Sequence, residues 1–402
     1  MEGSVLALRV LVHDYSGHPF QVELSAELAR RGHDVTHSWC EAHVSGKGNL
    51  HGHDHLHFEA IGQGEVVEKL NFARRLVQEV RYGVQLARQI RRVRPDVVMF
   101  GNVPVPMMAV VTFFLLLTRQ PWVSWQQDVQ GIAMKSFAGT KLSRGFLVFA
   151  HVAGWVEKWC NRRADAIVVI SEAFLDVHRA WGTADKTTVI PNWAPLGELV
   201  PTDRDNPWAR EHDLVDVPNL VYSGTLGLKH NPRLLVQLAK AVRDRGTPAH
   251  LTVVTEGAAM DEIADEAAKL DVPVTLLPFQ PYERLSEVLG SGDVLVVVLD
   301  KSAGAFSVPS KTLSYLCAAR PVLGLMPSEN LAAHLIDAAG GCVQAPQLGA
   351  IPAAADWVTH VLNDDEEREK LGRRARELAE REFELTLCAT KFEEILERVA
   401  AR

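Results

Sequence analysis

The sequence predicts an α/β protein of two doubly wound domains with parallel sheets, and three observations predict it. Short apolar segments alternate with helical stretches along the 402 residues, the rhythm of βαβ units. That rhythm runs twice, and a polar, proline-punctuated stretch from Pro195 to Pro218 separates the two runs. Composition is ordinary for a globular α/β chain, at 47% hydrophobic and 23% charged, with no repeat or low-complexity tract.

Leu6 to Val12 reads as the first strand. A Gly17-His18-Pro19 turn, a helix from Phe20 to Arg31, the pair Gly32-His33 and a strand from Asp34 to Ser38 complete an opening βαβ unit. Val97 to Phe100, Trp122 to Trp125 and Ala166 to Ile170 are further strands, short and apolar as parallel-sheet strands are. The second half repeats the pattern in Leu220 to Tyr222, Leu251 to Val254, Val274 to Leu277, Val294 to Leu299 and Pro321 to Leu325. Two charged amphipathic helices, Asp364 to Glu382 and Leu385 to Ala400, close the chain and suit bracing a surface.

Net charge is −8, which argues against a general nucleic-acid binder, whose affinity rests on a broadly basic face. The balance is uneven. Between Glu65 and Arg94 a helical stretch carries Lys69, Arg74, Arg75, Arg81, Arg88, Arg91, Arg92 and Arg94 among apolar residues such as Leu76, Val80 and Val84. It reads either as a solvated basic face or as a surface for an anionic membrane. The stretch from Lys135 to Arg163, with an apolar run from Gly145 to Phe149, is a second such candidate. Val103 to Leu117 falls short of the roughly 20 apolar residues of a transmembrane span and reads as a buried or interfacial helix. The acidic start Met1-Glu2-Gly3 and the short run after it read as a first strand rather than a leader, so a cytoplasmic protein, peripheral at the inner face of the cell membrane, is expected. Cys40, Cys160, Cys317, Cys342 and Cys388 are odd in number and scattered, which suggests neither a disulfide framework nor a zinc site. His51, His53, His55 and His57 have the alternation of metal ligands sharing a strand face, but no cysteine accompanies them; a solvated loop or edge strand is the reading adopted.

The most informative stretch is Val221-Tyr-Ser-Gly-Thr-Leu-Gly-Leu-Lys-His-Asn-Pro-Arg233. Gly224 and Gly227 let the backbone come close to a ligand, Lys229 supplies positive charge, and a helix opening near Asn231-Pro232 aims free N–H groups at the same place. A diphosphate fits such a site, although a glycine turn also serves simply to redirect an α/β chain.

The chain resembles the two-domain, Rossmann-like GT-B glycosyltransferases of the large retaining family 4, and within it those of the O-antigen and capsule kind, including transferases that assemble colanic acid. Five segments in order carry the resemblance. They are Gly17-His18-Pro19 with Glu27 to Val35, Ala164 to Ser171, Val189 to Trp193, Tyr222 to Gly227, and Val308 to Val322, which contains Pro-Ser-Lys at 309–311. The resemblance implies an acceptor-binding domain over residues 1–195, a donor-binding domain over 196–380 facing it across a cleft, and a terminal helix over 381–402 packed back on the first domain. It implies transfer of a sugar from a nucleotide diphosphate, UDP by preference, to a saccharide acceptor that is lipid-linked or free. It implies no cofactor and no metal.

The same resemblance distributes roles. Lys229 holds the donor diphosphate, with Gly17, Gly224, Thr225 and the loop residues Phe306, Ser307, Val308, Ser310 and Lys311 around the donor. Ser314 meets the ribose, and Phe279 and Gln280 the base, where Phe279 is otherwise a core residue. Asp128 and His18 orient the acceptor; read without the resemblance, Asp128 is a helix cap and His18 a turn residue. One departure stands out. The family's two glutamates eight positions apart fall on Phe306 and Ser314, so neither acid is present. A catalytically silent nucleotide-sugar-binding or scaffold subunit therefore remains an alternative. The Asp14-Tyr-Ser-Gly-His-Pro19 turn lacks a GxGxxG pattern, which sets aside a dinucleotide oxidoreductase.

Overall fold

A computed structural model describes residues 7–15, 19–41, 54–62, 72–132, 134, 144–227, 230–301 and 311–402. The chain divides into two compact units, one of residues 1–192 with 385–402 and the other of residues 193–384. Each has a fully parallel sheet.

The first unit has a seven-stranded sheet in the order β3-β2-β1-β4-β5-β6-β7. The strands are β1 (Arg9–Asp14), β2 (Asp34–Cys40), β3 (Leu56–Ile61), β4 (Val97–Gly101), β5 (Trp122–Gln126), β6 (Ala166–Val169) and β7 (Thr187–Val189). Strands β4, β5 and β6 are buried along their whole length, which continuous apolar runs such as Val97 to Phe100 require. Phe100 and Trp122 stack across β4 and β5 at 4.7 Å between ring centroids.

Connecting helices α1 (Pro19–Arg30), α2 (Phe72–Val93), α3 (Val105–Thr118), α4 (Arg144–Asn161) and α5 (Ala173–Trp181) cover this sheet. The chain's last helix returns to the same unit, and motif residues explain why. Arg31 donates to Glu27 at 2.8 Å and to Glu393 at 2.7 Å. His33 accepts from the Leu8 amide through Nδ1 at 3.2 Å, so its Nε2 carries the proton and donates to Glu393 at 2.9 Å. Phe392 is wholly buried against Trp125, at 4.6 Å between centroids.

The second unit has six strands in the order β10-β9-β8-β11-β12-β13. These are β8 (Asn219–Ser223), β9 (His250–Val254), β10 (Val274–Leu277), β11 (Val294–Val298), β12 (Val322–Leu325) and β13 (Cys342–Gln344). Its helices, in chain order, are α6 (Pro207–Glu211), α7 (Arg233–Arg243), α8 (Ala259–Leu270), α9 (Leu285–Gly290), α10 (Lys311–Cys317), α11 (Leu331–Ala338), α12 (Ile351–Leu362) and α13 (Asp365–Glu382), and the returning helix is α14 (Leu385–Ala400). Trp208, Tyr222 and Tyr315 are its largest fully buried side chains.

Both sheets reverse their strand order once, between β1 and β4 in the first unit and between β8 and β11 in the second. At such a reversal the connections leave toward opposite faces and open a crevice at the carboxyl ends of the two strands, where ligands of open α/β sheets bind.

Candidate functional site

In the second unit the crevice lies beyond Ser223 of β8. Gly224 follows at φ +141°, a left-handed conformation that a side chain strains, and a Cβ added there would stand 2.8 Å from Lys311 Nζ. Lys311 opens α10 after β11, so the reversal brings together two residues far apart in sequence. Its ammonium lies 3.9 Å from the Tyr222 ring centroid, hydrogen-bonds the Tyr222 hydroxyl and reaches the Thr225 carbonyl at 3.4 Å. Tyr222 in turn donates to the Thr225 carbonyl at 2.8 Å.

Tyr315, one turn along α10, holds the end of β8. Its hydroxyl accepts from the Ser223 amide at 2.8 Å and donates to the Ser223 carbonyl at 3.1 Å. Burial pushes the Lys311 ammonium down to about 7 and raises both phenols, so the tyrosines stay protonated. Among the described residues the result is a lysine at the carboxyl end of β8, charged below about pH 7, beside a glycine that lets a ligand approach. It is an anion site by chemistry.

The other described donor-site candidates lie on α10, on the loop after β8 and on the segment after β10. Ser314 is half-buried, one turn beyond Lys311 on α10, and Thr225 is exposed on the loop after Gly224. Phe279 follows β10 and is 46% exposed, which sets aside its reading as core. The Gln280 carboxamide accepts from the Trp208 indole at 3.1 Å and donates to the Pro278 carbonyl at 3.0 Å. Lys229, Phe306, Ser307, Val308 and Ser310 lie outside the described residues, as do Gly17 and His18 of the first unit.

In the first unit the crevice between β1 and β4 holds a buried polar group that the sequence reading overlooked. Asp14 ends β1 with its carboxylate fully buried; the Gln21 amide donates to it, and Asn102 donates at 3.4 Å. Gly101 is required beside it, because a Cβ there would meet the Trp125 carbonyl at 2.8 Å. His13 lies against the Ser38 hydroxyl at 2.9 Å and His37 against the Ser25 hydroxyl at 2.8 Å. Desolvation lowers His13 to about 3 and His37 to about 4, so both imidazoles are neutral near pH 7.

Asp128 is exposed on the loop after β5. Its neighbours are fixed on both sides. Gln127 and Asn192 exchange amide hydrogen bonds of 2.8 and 3.0 Å. Glu157 of α4 accepts from the Gln130 amide at 3.0 Å and the Gly131 amide at 2.9 Å. Burial raises the Glu157 carboxyl to about 7, a rise that the two amides oppose. Beside it, Gln126 pairs with His178 at 2.8 Å, and burial lowers His178 to about 4.

Two of the four alternating histidines lie among the described residues: His57 sits on the edge strand β3, where it pairs with Asp34 at 3.3 Å, and His55 is in the preceding turn, while His51 and His53 lie outside the described residues. Among the described residues no cluster of metal-ligating side chains is found. The five cysteines are free thiols, four of them buried.

Comparison with known proteins agrees with this architecture. Residues 18–193 match the family described as a glycosyl transferase 4-like domain. Among solved structures the fold is similar to Anabaena HepE crystallised with UDP and glucose, at 14% identity and a TM-score of 0.73, covering 97% of this chain and 100% of that one. It is similar also to sucrose-phosphate synthase from Thermosynechococcus elongatus, at 15% identity and a TM-score of 0.71, with 98% and 99% covered. A third is the trehalose-6-phosphate protein from E. coli bound with UDP-2-fluoro glucose, at 12% identity and a TM-score of 0.70, with 97% and 99% covered. No curated protein sequence matches the chain. Residues 18–193 thus resemble a glycosyl transferase 4-like domain, and the chain has the fold of GT-B glycosyltransferase structures.

Proposed function

We propose that this chain is a retaining, metal-independent glycosyltransferase of the hexosyl or deoxyhexosyl type. It transfers a sugar from a nucleotide diphosphate, UDP by preference, to a lipid-linked saccharide at the inner membrane face, in synthesis of a surface polysaccharide of the O-antigen or capsule kind. The observation that carries the reading is the Lys311 ammonium held over Tyr222 beside Gly224, at the strand-order reversal of the second unit. HepE solved with UDP and the E. coli protein solved with UDP-2-fluoro glucose support UDP as the nucleotide.

As the bond from the anomeric carbon to the diphosphate breaks, negative charge gathers on the leaving phosphate, and Lys311 with Lys229 stabilises it. Two lysines take the part that a divalent ion plays elsewhere. Ser314 hydrogen-bonds the ribose and Phe279 lies along the base. The acceptor oxygen bonds to the anomeric carbon on the face from which the diphosphate leaves, which retains configuration, and the leaving phosphate oxygen takes the acceptor's proton, so no protein base is needed; Asp128 and His18 orient the acceptor hydroxyl.

Thermal melting with UDP, GDP, TDP and ADP, with and without Mg²⁺, tests the donor half. A nucleotide at about 100 times its Kd stabilises by roughly 2.7 kcal/mol. A shift with UDP that is indifferent to Mg²⁺ and lost in Lys229→Ala is the expected result. No shift with any nucleotide would sink the reading.

A further inference from the structure

Sixteen large apolar side chains are exposed among the described residues, and eleven of them lie on three helices, α2, α3 and α4. These helices pack side by side with α3 in the middle. The α2–α3 approach is close, since a Cβ added to Gly83 would meet Val110 at 2.9 Å. Leu76, Val77, Val80 and Val84 face outward from α2, Phe113, Leu116 and Leu117 from α3, and Val148, Phe149, Val152 and Trp155 from α4. Leu117 is 69% exposed and Trp155 is 66% exposed. Few monomeric proteins leave so much apolar surface together without a use for it.

Charge says what the surface meets. The exposed residues Arg74, Val77, Arg81, Val84, Arg88 and Arg91 recur at helical spacing, so one face of α2 alternates arginine with valine. Long arginine stems can lie along an apolar layer while their guanidinium groups stay at its polar boundary. At the end of α4 the Arg163 guanidinium rests 4.2 Å over the Trp159 ring. The three helices contain two carboxylates, Glu79 and Glu157, and both are buried. A chain of net charge −8 thus presents an apolar face whose exposed ionic groups on these helices are cationic.

We infer that the outer face of α2, α3 and α4 docks on an anionic lipid leaflet, with Phe113, Leu117 and Trp155 entering the interface and the α2 arginines on lipid phosphates. This rests on the peripheral-membrane part of the function proposed above and is independent of its chemistry. A protein partner of matching shape is the rival occupant. Lipid is favoured because the exposed apolar side chains are spread over three helices and exposed arginines run the length of α2.

The test is co-sedimentation of the full chain with phosphatidylcholine vesicles, with and without phosphatidylglycerol. Binding only to the anionic vesicles, weakened by salt, is expected. Arg81→Glu/Arg88→Glu weakens it at least about twenty-fold, at roughly five-fold per arginine. Phe113→Ser/Leu117→Ser abolishes it at unchanged arginine content. All four positions are exposed, and melting temperature and UDP binding on the same variants confirm an intact fold and separate this surface from the donor site. Failure of the folded protein to bind anionic vesicles overturns the inference. So does a concentration-dependent dimer lost in Phe113→Ser/Leu117→Ser, which would assign the face to a second copy.

Discussion

Lys311 is neutral above about pH 7, because burial against Tyr222 disfavours its charged form, while a diphosphate favours the same form. Donor binding above that pH must therefore take up a proton, whereas below it the ammonium is already present. Affinity for a UDP-sugar, whose diphosphate stays fully ionised across the range, is expected to fall by up to about ten-fold per pH unit above 7. Calorimetry at pH 8 in two buffers of different ionisation enthalpy should register the proton. In Lys311→Met the uptake disappears and affinity becomes flat with pH; a proton uptake that persists would show that another group titrates. Gly224→Ala is the companion test. Its Cβ would stand 2.8 Å from Lys311 Nζ and displace it, at a φ that costs about 1–3 kcal/mol, so nucleotide binding is lost and the melting temperature falls modestly. Lys311 was legible in the sequence through its Pro-Ser-Lys motif, and Gly224 through its turn. Their meeting over Tyr222 was not, because it depends on two segments 89 residues apart being brought together at the reversal of the sheet. Asp14, His13 and His37 escaped notice for a related reason: a polar residue within a strand acquires meaning only when its cross-strand partners are known.

Strands with strong apolar runs were placed to within a few residues, as Val274 to Leu277 and Trp122 to Trp125 illustrate. Edge strand β3 takes in His57 of the stretch read as a solvated loop or edge strand, whereas β7 and β13, also peripheral in their sheets, were overlooked. Thr187–Val189 and Cys342–Gln344 are three residues each and only half-buried, which leaves no apolar run to read. Helix α14 was legible as an amphipathic element, and its anchoring to Glu27, Arg31 and His33 gives those motif residues a structural role. Phe392→Ala empties a fully buried site against Trp125 and is expected to cost about 3–5 kcal/mol in chemical denaturation. A loss under about 1 kcal/mol would mean that α14 is not integral to the first unit. On α4, Glu157 supplies a pH-dependent element. Its folded-state carboxyl near 7 lies above its unfolded value of 4.5, so the folded state holds the extra proton between those limits and stability falls as pH rises through that window. The advantage of wild type over Glu157→Gln should shrink by something on the order of 3 kcal/mol from pH 4.5 to 7. An advantage that does not change with pH would show that Glu157 is ionised throughout.

At the scale of the molecule, two sheets with the same reversal each present a different kind of crevice. That of the second unit offers a cation and a glycine turn. That of the first offers a buried carboxylate, hydrogen-bonded amides and neutral imidazoles, a setting for neutral hydroxyl groups rather than phosphate. The proposed function assigns the donor to the crevice of the second unit and the saccharide to that of the first. The doubly wound class was readable from the alternation of strand and helix alone, whereas the chemistry of each crevice required the fold. Among the described residues no helix is long and apolar enough to cross a membrane. The absence of the family's acidic pair makes turnover, rather than binding, the claim most exposed to failure. The direct measurement is release of UDP from a panel of UDP-sugars incubated with the protein and a membrane lipid extract as acceptor source. Release is expected with one donor, dependent on the extract, proceeding in EDTA and lost in Lys311→Met, with the anomeric configuration of the donor kept in the product. Tight UDP binding with no release from any donor would contradict it and identify a silent nucleotide-sugar-binding subunit.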